Sequence, residues 1–216
     1  GSGLFPIISG FLCGSPGGAK MMQGNDWGGK IPRREMALTG VMSPAFFLGT
    51  LSGWLASQRI ACLLYFCHVL GAVLSALCMR KVPSVASEKT PLSLFACIGQ
   101  SIQALLQVGY FVMLGTVASR MCACALPFLP EGVLVFLQSL MEVTGGARAV
   151  ISLSPGLLYP LLSAATSFGG LSILMQNLSF WQEKGVSFVE LALVQLLHAA
   201  ISFLLCFFLQ ILSLFG

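Results

Sequence analysis

The stretch from Leu92 to Ala118 contains no charged side chain and exceeds the roughly 20 apolar residues that carry a helix across a bilayer. It has company. Arg59 to Met79 (RIACLLYFCHVLGAVLSALCM) is a second full span, with Arg59 at one end and Arg80-Lys81 just past the other. Ser187 to Phe215 is a third, with Glu190 in its first turn, where a carboxylate suits the helix dipole. Of the 216 residues, 56% are hydrophobic and 8% charged, against about 25% charged in soluble domains. Seven acids and eleven bases cannot cover the surface of a water-soluble globule of this size. Soluble enzyme, nucleic-acid binder and disulfide scaffold are therefore excluded. The expected fold is all-α: a single polytopic transmembrane domain over residues 1–216, with four or five full spans and a lipid bilayer as its first partner.

Other segments are apolar but unsuited to a plain span. Gly3 to Ser15 is short and runs into Gly14-Ser15-Pro16-Gly17-Gly18. Glu35 to Ser57 contains Thr39-Gly40, Ser43-Pro44, Gly49 and Gly53. Met121 to Val143 is broken by Pro127, Pro130 and Glu131, which moves the expected start of that span to near Glu131. Ser154 to Asn177 holds Pro155, Pro160 and Ser167-Phe168-Gly169-Gly170. Short hydrophobic stretches interrupted by Gly and Pro in both halves suggest re-entrant hairpins and discontinuous helices, whose opened backbone survives only against protein or a wet cavity. The expected division is a first set of helices over 1–81, a polar connector at 82–91, and a second set over 92–216 with a hairpin around 155–177. The basic loops Lys20–Glu35 and Arg80–Pro91, separated by two spans, are expected on one side of the membrane, the cytoplasmic one by their positive charge. The opening Gly1-Ser2-Gly3 lacks Met and a basic region before apolar sequence, which reads as a tag scar or fragment start and not as a signal peptide.

The net charge of +4 comes from scattered bases, with no stripe for nucleic acid. Cys13, Cys62, Cys67, Cys78, Cys97 and Cys206 lie in or beside apolar runs and read as small packing residues. The Cys122/Cys124 pair lacks zinc or redox spacing. His68 and His198, both inside apolar runs, are too few for a metal cluster. No cofactor or metal is implied, and no nucleophile–base–orienter set or Walker loop points to an enzyme.

Three groups can carry a function. In Gly10–Lys20 the glycines and Pro16 expose main-chain groups around Ser15, Gly17 and Gly18, and Lys20 suits an anion; the plain alternative is a tight loop with a snorkelling lysine. In Glu142-Val143-Thr144-Gly145-Gly146-Ala147-Arg148, an acid follows the uncharged run Gly132–Met141. Such residues mark a pathway if intramembrane, or simply a helix end if at the surface. In Ser167-Phe168-Gly169-Gly170-Leu171-Ser172, with Gln176, hydroxyls and amides sit where glycine opens the helix, or else small residues pack helices closely. Gln100, Gln103 and Gln107 share one helix stripe and suit interhelical hydrogen bonding.

The ordered set of these pieces resembles the sporulation integral membrane protein YlbJ family, within the nucleoside-recognition "Gate" group and similar in architecture to concentrative nucleoside transporters. It comprises Gly10–Lys20, Ile31-Pro32-Arg33-Arg34-Glu35, Ser43-Pro44-Ala45-Phe46-Phe47 with Gly49, and Glu142–Gly146. Ser167–Ser172 with Gln176, and Leu196-Leu197-His198-Ala199, complete it. The chain departs from the family at Ser15, where an aromatic is usual, at Thr39–Ser43, and in lacking N-terminal helices, so the resemblance implies an N-terminally truncated member. It implies a permease-like protein of sporulating bacteria that moves dipicolinic acid across the outer forespore membrane. Gly14–Lys20 and Ser167–Ser172 would be hairpin tips near the midplane. Broken helices around Ser43-Pro44 and Glu142–Gly146 would complete a solute site of Ser15, Gly17, Gly18, Lys20, Ser43, Glu142, Thr144, Gly145, Ser167, Gly169, Gly170, Ser172 and Gln176. Glu142 is the one core carboxylate suited to proton coupling, and Arg148 and Lys20 suit an anionic solute. A nucleoside-type solute is the nearest variant. The competing reading is a non-transporting scaffold or receptor that recruits other sporulation membrane proteins, or further copies of itself, through Arg33, Arg34, Arg80 and Lys81.

Overall fold

Apolar runs punctuated by Gly and Pro fold into eleven α-helices among the described residues. The computed structural model describes residues 4–23, 29–80, 82, 94–153 and 156–215. The helices are α1 (Leu4–Cys13), α2 (Gly17–Gln23), α3 (Arg33–Thr39), α4 (Phe46–Leu55, opening as a π-helix over Phe46–Leu51) and α5 (Gln58–Leu77). They continue with α6 (Leu94–Ala125), α7 (Glu131–Met141), α8 (Val143–Leu153), α9 (Leu158–Phe168), α10 (Gly170–Trp181) and α11 (Phe188–Ile211). Four stretches are long and apolar enough to cross a membrane: Gln58–Leu77, Ser101–Ala125, Leu158–Lys184 (α9 and α10 taken together) and Phe188–Ile211; the span expected from Glu131 is instead the 11-residue α7. The protein is an all-α, multi-pass integral membrane protein. Apart from Val82, the connector expected at 82–91 lies outside the described residues, as does Lys81.

The long helices start where capping chemistry allows. Ser57 Oγ accepts the Ile60 amide at 3.3 Å before α5, and Ser187 Oγ accepts the Glu190 amide at 3.3 Å before α11. Glu190 also pairs with Lys30 and, at 2.7 Å, with Arg33, pinning the 29–35 segment to that end of α11. α6 turns Leu105, Leu106, Met113, Val117 and Met121 outward, a surface that only lipid or another apolar partner can cover. It continues past the expected end at Ala118 to Ala125 and so carries Arg120.

Buried apolar side chains collect at two levels. One cluster gathers Ala19, Met22, Ile31, Met36, Ala76, Leu174, Trp181 and Leu191; the other gathers Phe47, Leu51, Leu64, Val135, Ala147, Leu162 and Cys206. Between members of the two clusters along the chain fall buried polar residues: Thr39, His68, Ser167, Gln195, His198 and Ser202; Gln176 and Asn177 are buried among the Trp181-level residues of α10. The segment bearing Arg33 and the end of α5 that leads to Arg80 both belong to the Trp181 level, so both lie at the same end of the bundle, as the two spans read between the basic loops require.

The clusters also give each element a direction. α3 runs from the Trp181 level to a break at Gly40–Ser43, and α4 continues into the Phe47 level. α9 runs from the Phe47 level to a break at Gly169, and α10 continues into the Trp181 level. α5 and α11 run oppositely between the same levels. The α1–α2 pair packs on itself and contributes to the Trp181 level, whereas α7–α8 packs on itself and contributes to the Phe47 level. Leu4–Leu77 and Glu131–Ile211 therefore repeat one series, hairpin then broken helix then span, with opposite polarity and with α6 between them.

One expectation is reversed. Ser167–Ser172 is the break of a discontinuous helix and not a hairpin tip, and the fold-back in the second half is at Glu142, not around 155–177. Glu142 alone is extended (φ −150°, ψ 129°) between two 11-residue helices, which turns the chain back on itself. Gly169 and Gly170 instead adopt φ of 79° and 76°, open only to glycine at low cost, and they send α9 onto α11 and α10 onto α6 and α2.

The hairpins rely on close backbone approach. A Cβ on Gly146 would overlap Ser139 Cα, and one on Gly18 would lie 2.7 Å from Gly10 Cα. Gly146→Val should destabilise the protein by about 1–3 kcal/mol, whereas Gly109→Ala, facing open space on α6, should not; thermal unfolding in one detergent checks both.

Candidate functional site

Each break frees backbone groups in the middle of an apolar bundle, and the site consists of what satisfies them. At the first break, the α1–α2 turn meets the Gly40–Ser43 segment. The Ser15 amide donates to Val41 O at 2.6 Å, and Ser15 Oγ donates to Asn177 Oδ1 on α10 at 2.5 Å. Gly14, at φ 76°, lies so near Ser43 that a Cβ would overlap the Ser43 amide nitrogen. Gly40 O accepts from Gln195 Nε2 on α11 at 3.3 Å, and the Met42 amide donates to His68 Nε2 at 2.9 Å.

That last bond fixes the histidine's chemistry. A ring nitrogen that accepts a backbone N–H carries no proton, so a neutral His68 holds its proton on Nδ1 and donates it to Ser167 Oγ, 2.9 Å away. His68 has no exposed surface and so ties the first break to the end of α9, beside the second. His198, equally buried, uses Nε2 on the His68 carbonyl at 2.8 Å, and the two rings lie 4.7 Å apart.

At the second break, Glu142 is 2% exposed and caps α8. Its Oε1 accepts the Thr144 amide at 2.8 Å and Oε2 the Gly145 amide at 2.7 Å. Gly170 and Gly115 let three segments meet here. A Cβ on Gly170 would be 3.2 Å from Glu142 N, and one on Gly115 would be 3.0 Å from Ser172 Cβ and 3.2 Å from Glu142 Cβ. Beside this junction opens a cavity of about 550 Å³ lined by Arg120, Arg148, Gln138, Glu142, Thr144 and Trp54, among others. Arg148 lies over the Trp54 ring at 5.9 Å. Two guanidiniums and several hydroxyls make this wall suited to a small anion.

The structure thus brings Ser15, Ser43, Glu142, Thr144, Gly145, Ser167, Gly170 and Ser172 to or beside the two breaks, and Gly169 forms the second; Gln176 is buried further along α10. Gly17 and Gly18 serve the hairpin: Gly17 faces Cys13, and Gly18 is wedged between Gly10 and Thr39. Lys20 sits half-buried on α2 among Trp181-level residues and does not line the arginine cavity. The side chain of Gln100 lies outside the described residues. Sequence reasoning left out His68, Gln195, His198, Ser202 and Arg120 as site residues. A signal existed for three: Gln195, His198 and Ser202 recur at i, i+3 and i+7 within an apolar run, one helix face. His68 had none, because its role depends on a distant backbone break.

His68→Leu would strand the Met42 amide and the Ser167 hydroxyl, at about 1–3 kcal/mol for each unsatisfied buried group. His68→Gln, whose amide offers both an acceptor and a donor, should recover part of that loss. Thermal midpoints of the two variants check this ordering. Among protein-family models, curated proteins and solved structures, none matches this chain.

Proposed function

We propose that this protein is a transporter-like permease that passes a small anionic solute through the polar layer between its two oppositely oriented halves. The observation that carries the reading is the repeat itself: hairpin, broken helix and span, in opposite senses, with the interruptions of both halves meeting in one buried polar layer. Such inverted repeats with discontinuous helices accompany alternating access in membrane transporters, and a structure built only for anchoring has no use for backbone opened inside the bilayer.

The cavity beside Glu142 lies within the 300–1,000 Å³ range typical of small-molecule sites. Its arginines favour a carboxylate-bearing solute. Dipicolinate, with two carboxylates, is the solute that the resemblance to the YlbJ family implies, and the outer forespore membrane is the membrane. Arg120 and Arg148 would take the carboxylates, and the helix-breaking segments at Gly169–Gly170 and Gly40–Ser43 would rearrange as the halves rock.

Glu142→Gln replaces the acceptor facing the Thr144 or Gly145 amide with a donor, and Gly169→Leu forces a side chain into a left-handed backbone. Both should abolish dipicolinate accumulation by vesicles containing the protein while membrane insertion is retained. Wild-type accumulation in both variants would remove the site, and with silent Arg120→Ala and Arg148→Ala would leave the scaffold reading.

A further inference from the structure

Three buried polar atoms on one face of α11 have no partner: Gln195 Oε1, His198 Nδ1 and Ser202 Oγ. Their residues are at most 1% exposed, and buried polar atoms of native proteins are overwhelmingly hydrogen-bonded. The mismatch has a definite sign. Gln195 commits Nε2 to Gly40 O and His198 commits Nε2–H to His68 O, so what remains is a carbonyl oxygen and an imine nitrogen, both acceptors. The Ser202 hydroxyl supplies one hydrogen and can satisfy only one of them. The face is one hydrogen short.

We propose that His198 is a proton-binding site within the membrane-embedded polar layer, with Gln195 Oε1 and Ser202 Oγ, neither of which bonds Nδ1 in the structure, turning to receive the N–H that protonation creates there. Hydronium arriving through internal water gives its proton to the Nδ1 lone pair and leaves water; no electrons move and no existing hydrogen bond breaks. His68 cannot serve in the same way, because a proton on its Nε2 would evict the Met42 amide. Glu142 is likewise occupied, both oxygens being spent on the cap of α8.

The elements packed on α11 are α9, α5, α3 and α10. From α5 the facing titratable groups are His68 and, against Cys206 of α11, Cys67; α9 brings the hydroxyls of Ser163, Thr166 and Ser167 and, at its far end against Phe215, Tyr159. α10 has no titratable side chain. α3 contributes Arg33, Arg34 and Glu35 at its far end, with Arg33 bound to Glu190 near the start of α11. The new charge is thus held by acceptors and not by a counter-ion. Where the permease reading holds, proton binding at His198 is a means of coupling solute movement to a pH gradient, since Gln195 holds the first break and His198 holds the His68 carbonyl.

The chain has two histidines, so isotope-labelled imidazole in lipid nanodiscs gives two NMR signals, assigned by His198→Gln and His68→Gln. On acidification across about pH 8 to 4, the range in which imidazoles titrate, the His198 ring should pass reversibly from the neutral Nε2–H form to the doubly protonated cation. His68 should keep its Nδ1–H form, and Ser202→Ala should shift the His198 midpoint. A His198 ring that stays neutral in folded protein, holding water alone, overturns the proposal, as does titration of His68 first. In vesicles, His198→Gln should lose the acid-driven accumulation of labelled dipicolinate that the wild type shows. Unchanged acid-driven accumulation overturns the coupling. If the wild type exchanges no dipicolinate, the permease reading fails, and the ring titration still decides His198.

Discussion

Inside an apolar bundle, a backbone N–H or C=O released from its helix has no water to turn to, and leaving it bare costs several kcal/mol. The structure interrupts its helices at mid-level in four places: Gly14–Pro16, Gly40–Ser43, Glu142 and Gly169–Gly170. The polar side chains of the bundle are largely assigned to that demand. Ser15 and Val41 pair across the first hairpin and the first break, His68 takes the Met42 amide, Gln195 takes Gly40 O, and Glu142 takes the two leading amides of α8. Stability and site are one arrangement, because the groups that make the breaks tolerable are those a solute or proton would meet.

The two apolar levels explain why the polar layer stays where it is. Trp181, Met36 and Leu191 on one side, and Phe47, Leu64 and Leu162 on the other, are fully buried or nearly so, so polar groups cannot migrate toward either end without displacing close-packed side chains. His68 is central to this arrangement. Its ring contacts Phe47 at 5.1 Å between centroids while both nitrogens reach broken backbone or the hydroxyl beside it.

Much of the architecture was legible in the chain. Uncharged runs required a membrane protein, and Glu131 and Ser187 marked helix starts because a carboxylate or hydroxyl there complements unpaired amides. Glycine and proline clusters located the interruptions. What they did not give was the kind of interruption. Glu142–Gly146 looked like a broken helix and Ser167–Ser172 like a hairpin tip, and the reverse holds, since whether a chain folds back or continues depends on which neighbour each half-helix packs against. The same limit applied to function: a serine or glycine near a break is visible locally, but the buried partner that completes it is not.

Sequence by itself determined the environment, three of the four long spans and the positions of the breaks, since all of these follow from local hydrophobicity and backbone freedom. Tertiary structure alone decided that the halves run in opposite senses, that His68 joins the two breaks, that Arg120 shares a cavity with Arg148, and that one face of α11 lacks a hydrogen. Those facts depend on pairs such as Ser15 with Asn177 or His68 with Ser167, far apart along the chain, whose meeting is set by how the helices pack.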